Sequence, residues 1–187
     1  MRAIAFLEYG AILGGLVAMA AGHFFVAPKA FHLGVFLVGA GLALGGLESL
    51  FTRRMSFRFA GDAAERYEGA PALIWGSMAL LAGSAVIAAA YLLSEGLGRA
   101  ALDYLVRRPA PALAAAGVLI AGSGALLFFN PHGRRGVARW LLVRLPRVLL
   151  GLVLVLAGIA AVGVAAWDWF EPRTIDRLLR ALPGLRR

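Results

Sequence analysis

The chain has 187 residues, 61% hydrophobic and 16% charged, with a formal net charge of +9. Its mean hydropathy of +0.80 excludes a soluble globular domain, which needs far more polar surface to stay dissolved. The absence of cysteine excludes disulfides, thiolate ligands and iron–sulfur clusters. The basic excess reads as membrane topology and not as nucleic-acid binding, because loop arginines are what topology requires.

Arg2, an apolar stretch and Ala18-Met19-Ala20 have the outline of a signal peptide, but Glu8 interrupts the apolar region. Residues 4–26 are therefore read as a first membrane span. Pro28 breaks the chain before a second span over 30–51. The loop 52–69 carries Arg53, Arg54, Arg58 and Arg66, and Asp62 followed by Glu65 has capping-box spacing. That spacing predicts a helix beginning near Asp62 and leading into a third span over 71–93. In 97–106, Leu97, Ala101, Leu102 and Leu105 share one face, predicting a short amphipathic helix at the membrane interface.

A fourth span, 110–129, closes at Asn130-Pro131. Residues 137–145 place Val137, Trp140, Leu141 and Leu145 together, either as an interfacial helix or as an extension of the fifth span, 147–169. Pro71, Pro111 and Pro146 fall where a first helical turn tolerates a missing N–H. Trp167, Trp169 and Phe170 read as an aromatic belt. Residues 171–187 form a basic amphipathic tail, with Ile175, Leu178, Leu179 and Leu182 opposite Arg173, Arg177 and Arg180. The expected fold is an all-α integral membrane protein with five transmembrane helices and short interfacial helices. Residues 1–170 are read as one polytopic membrane domain.

With the amino terminus inside, ten arginines lie on the inner side against four basic residues outside, leaving the tail aside. Counting the tail's five arginines narrows this to ten against nine, and the excess still places the amino terminus inside. The expected location is a bacterial cytoplasmic membrane. Residues 34–41, GVFLVGAG, resemble 117–124, GVLIAGSG, and both spans run on to paired arginines, Arg53-Arg54 and Arg134-Arg135. Duplicated hairpins would produce this echo, and so would the shared composition of glycine-rich apolar helices.

The first hairpin holds the residues that suggest chemistry. Glu8 and Glu48 are equally far from Pro28, so antiparallel helices would place them at matching depth. At about 100° per residue, Glu8 shares a stripe with Ala11, Gly15, Ala18 and Gly22, and Glu48 shares one with Gly34, Gly41 and Gly45. Small residues mark close helix packing, so both carboxylates are expected to point at protein. Two neighbouring carboxylates in a membrane can share a proton or hold a cation. Each also lies near enough to a helix end to pair with Arg2, Arg53 or Arg54.

His23 and His32 flank the same turn, but His32 lies about 160° round from Glu48, so the two pairs cannot share one seam. His132 reads as a turn residue and Asp168 as an interfacial cap. Ser77, Ser84 and Ser123 read as packing or backbone-bonding residues. There is no phosphate-binding loop, no HExxH and no nucleophile with a histidine and an acid nearby. No enzyme, cofactor or metal site is therefore expected.

Arg53, Arg54, Arg134, Arg135, Trp140, Arg144, Trp167 and Trp169 are the candidates for lipid headgroup and interface contact. Gly15, Gly22, Gly34, Gly41 and Gly45 are the candidates for helix packing. The expected partners are membrane lipids and other membrane subunits or a second copy. The leading functional expectation is an accessory or scaffold subunit of a larger membrane assembly. A small proton- or cation-coupled transporter using Glu8 and Glu48 is the second, and an interfacial lipid-handling protein the third.

Overall fold

The computed structural model describes residues 2–57, 65–129 and 144–171. They form six helices and one hairpin: α1 (Arg2–Phe24), α2 (Pro28–Thr52), β1 (Arg54–Phe57), β2 (Glu65–Glu68), α3 (Ala70–Ser94), α4 (Gly98–Arg107), α5 (Ala110–Phe128) and α6 (Leu145–Phe170). All but α4 are long and apolar enough to cross a membrane, and the chain is an all-α integral membrane protein. Helices are what lipid demands, since every backbone N–H and C=O must find its partner internally. Proline stands in the first turn of α2, α3, α5 and α6, where its missing N–H costs nothing.

The chain divides into two compact units, residues 1–101 and 102–187. In the first, α2 is central, packing α1 on one face and α3 on another. In the second, α5 and α6 form an antiparallel hairpin. The described residues 144–171 include the first turn of α6, whereas 130–143 and 172–187, which hold most of the expected 137–145 helix and of the basic tail, lie outside them.

Every buried position among the described residues is Gly, Ala or Ser. The helices meet backbone to backbone, without a core of large side chains. A Cβ at Gly46 would lie 2.6 Å from the Gly76 carbonyl oxygen, and one at Gly83 2.6 Å from that of Gly39. In the second unit a Cβ at Gly124 would lie 2.7 Å from the Gly151 oxygen, and one at Gly117 2.8 Å from that of Gly158. Apolar tails of lipid offer helices no hydrophobic driving force, so such close approach is where their attraction comes from. The seams recur every seventh residue: 15/22, 34/41, 39/46, 76/83/90, 110/117/124 and 151/158/165. A seven-residue repeat keeps one face on its partner as two helices coil left-handedly.

The helix expected from Asp62 is not formed over the residues described after it. Residues 65–68 pair antiparallel with 54–57, in the register Arg54–Glu68, Met55–Tyr67, Ser56–Arg66 and Phe57–Glu65. The Gly69 N–H donates to the Arg53 carbonyl at 2.9 Å and closes the base of the hairpin. Tyr67 packs on Trp75 of α3, ring centroids 6.3 Å apart. Cross-strand pairing and this aromatic contact outweigh the local capping signal. Asp62 itself lies outside the described residues.

α4 is amphipathic as expected, with Leu102 and Val106 exposed. The turn before it is a Schellman motif: Leu97 N–H donates to Leu92 O at 2.8 Å, and Gly96 takes φ +70°. The α1–α2 turn repeats that bond, Ala27 N–H to Gly22 O at 2.9 Å, but with Val26 at φ +52°. A β-branched residue is strained there.

The echo between 34–41 and 117–124 does not extend to the packing. Gly34 and Gly41 of α2 meet the preceding helix, α1, whereas Gly117 and Gly124 of α5 meet the following helix, α6. Duplicated hairpins would bury corresponding glycines against corresponding partners.

Candidate functional site

The α1–α2 seam carries the two glutamates. Gly22 packs on Phe31, Gly15 on Gly34 and Val38, and Gly41 on Ile12 and the Glu8 carbonyl. Next along the seam, the Glu8 carboxylate lies directly over Gly45, where the missing side chain leaves it room. Glu8 is half-buried, as is Glu48 one turn beyond Gly45. Both glutamates continue a seven-residue small-residue stripe, 8/15/22 and 34/41/48.

The two are not at matching depth. The reversal is centred on Val26 and not on Pro28, because α1 already ends at Phe24. That moves the register by about one turn, setting Glu8 opposite Gly41 and Gly45 and leaving Glu48 further along α2. Glu48 nevertheless stands only one helical turn beyond Gly45, over which the Glu8 carboxylate lies. Among the described residues neither carboxylate has an ion-pair or hydrogen-bond partner. Arg54, one expected partner, pairs instead with Glu68 across the hairpin at 3.6 Å. Arg53 is exposed at the end of α2, and the Arg2 side chain lies outside the described residues.

On the other face of α2 the seam to α3 contains the most buried polar side chain among the described residues. Ser49, 1% exposed, donates its hydroxyl proton to the Ala72 carbonyl at 2.7 Å. A Cβ at Gly76 would meet the Ser49 Cβ at 3.0 Å. Ser49 and the Gly39, Gly46, Gly76 and Gly83 seam are absent from the residues singled out by sequence, although their seven-residue spacing was there to be read. Ser77 bonds back to its own helix, to Leu73 O at 2.6 Å.

His23 is exposed, while the half-buried His32 faces α3, on the side of α2 away from the glutamates. The described residues contain no cluster of three or more groups able to hold a metal. Arg144 is exposed at the start of α6, and Trp167 and Trp169 at its end. Trp167 donates from Nε1 to Glu171 at 3.3 Å, as a ring at a polar boundary does. Arg134, Arg135, Trp140 and His132 lie outside the described residues.

Two glycines of α1 take no part in these seams. Around Gly10 and Gly14, spaced as GxxxG, nothing among the described residues would come within 4 Å of an added Cβ, and Leu13 and Val17 beside them are exposed. No protein-family model, curated protein or solved structure matches the chain.

Proposed function

We propose that this chain is a non-enzymatic accessory or scaffold subunit of a larger membrane assembly. The observation that carries the reading is the Gly10/Gly14 face. The other face of α1 is committed to α2, and its glycines are filled by α2 atoms. A GxxxG pair left open on the outer helix of the first unit suits a further transmembrane helix, because it lets two backbones approach closely. The arginine distribution supports an amino terminus inside, and a bacterial cytoplasmic membrane is the location proposed with it. Purification from native membranes in mild detergent tests the reading: a stoichiometric helical partner is expected, and a clean monomer counts against it.

A second reading rests on Glu8 and Glu48. Their positions about one turn apart along one seam, with no counter-charge among the described residues, favour a proton or cation step in a small transporter. Proteoliposome flux with Glu48→Gln distinguishes it: loss of flux supports the site, and flux equal to wild type removes it.

A further inference from the structure

A groove of about 770 Å³ opens between the first turns of α2 and the last turns of α3, entirely within the first unit. Lys29, His32 and Ser94 stand at its mouth. Because α2 begins and α3 ends there, that mouth lies at one membrane surface. Leu33, Phe36, Ile87 and Ala88 wall the deeper part, which reaches Ser84. Ten residues of α3 separate Ser84 from Ser94, about 15 Å of helix, or half of a hydrocarbon core about 30 Å thick. The groove thus runs the depth of one leaflet, polar and cationic at headgroup level and apolar below it.

We propose that this groove binds an anionic phospholipid, its phosphate at Lys29 and His32 and its acyl chains along Leu33, Phe36 and Ile87. Charge selects the occupant. Lys29 is the chain's only lysine, and no carboxylate lines the groove among the described residues. Glu95, the next residue after Ser94, is exposed outside it. Lysine presents a compact, mobile point charge suited to a phosphodiester. Basic pockets between membrane helices recognise anionic headgroups by this attraction. A partner helix would meet a mouth occupied by an ammonium group and an imidazole, polar groups that are expensive to cover with apolar surface. Ser94 donates its proton to the Tyr91 carbonyl at 2.7 Å, leaving its oxygen free only to accept. The headgroup's donors at the mouth are then Lys29 and His32, with the Tyr91 hydroxyl also in the lining.

Native mass spectrometry of the full-length protein in detergent, with equal amounts of dioleoyl phosphatidylglycerol and dioleoyl phosphatidylcholine, tests this directly. The wild type is expected to retain the glycerol lipid about fivefold over the choline lipid. Lys29→Gln should bring the ratio towards one, while Lys29→Arg should keep it above one. Ala88→Phe, which fills the apolar part, should lower the adducts of both lipids. Lys29 and Ala88 are both exposed, so helix packing does not depend on either. Equal retention of the two lipids by the wild type overturns the proposal. So does an unchanged phosphatidylglycerol adduct in Ala88→Phe, or a dimer that Ala88→Phe dissociates.

Discussion

At the scale of single residues, the α1–α2 seam couples a carboxylate to a missing side chain. Gly45→Val would meet the far end of the Glu8 side chain, which can swing aside, so the change should cost only about 1 kcal/mol. Combining it with Glu8→Ala opens the space, so the pair should be non-additive by about 0.5 kcal/mol or more in unfolding measurements in detergent. Additive effects would mean that the carboxylate does not occupy the site. Val26 offers the opposite test. It is 86% exposed with φ +52°, so Val26→Gly should stabilise the chain by about 1 kcal/mol. A lower unfolding temperature would contradict the strain. The seam face of both glutamates was legible because glycines at helical spacing identify the packed side. Their relative depth was not, because it depends on where the reversal is centred. A valine in a conformation that favours glycine gives no sequence signal of a turn.

At the scale of elements, the five apolar runs became five long helices because length and proline position say where a lipid-spanning helix starts and stops. The loop 52–69 was harder to read. Asp62 and Glu65 imitate a helix start, while the pairing of 54–57 with 65–68 is non-local and leaves only a weak alternation in four residues. The lipid groove was equally hidden, since residues 29–36 and 84–94 come together only once α2 and α3 have found their register. That register is held by glycines. Gly158→Leu, whose side chain would collide with Ala121 and the Gly117 carbonyl, should destabilise the α5–α6 hairpin by about 1–3 kcal/mol or more. Gly163→Leu, on the same helix with nothing within 4 Å, should stay within about 0.5 kcal/mol. Equal effects at the two positions would show that the seam is not where α5 and α6 meet. On α2, Ser49→Ala should cost about 0.6 kcal/mol, the usual worth of an interhelical hydrogen bond in a membrane.

At the scale of the whole molecule, the proposed accessory role rests on surfaces and not on polar groups. The glycine seams look from sequence like places for partner helices, yet most are filled by the chain's own neighbouring helices. The Gly10/Gly14 face is the GxxxG pair left over on α1, and the accessory-subunit reading stands on it. Replacing both glycines by leucine tests that reading without disturbing the fold, since no described atom lies within 4 Å of either added Cβ. The decisive measurement is the amount of membrane partner that co-purifies in mild detergent with wild-type protein and with Gly10→Leu/Gly14→Leu at matched thermal stability. A stoichiometric partner is expected on the wild type, and its loss from the variant. A partner retained equally by both, or a wild type that purifies alone, would contradict an accessory role built on this face.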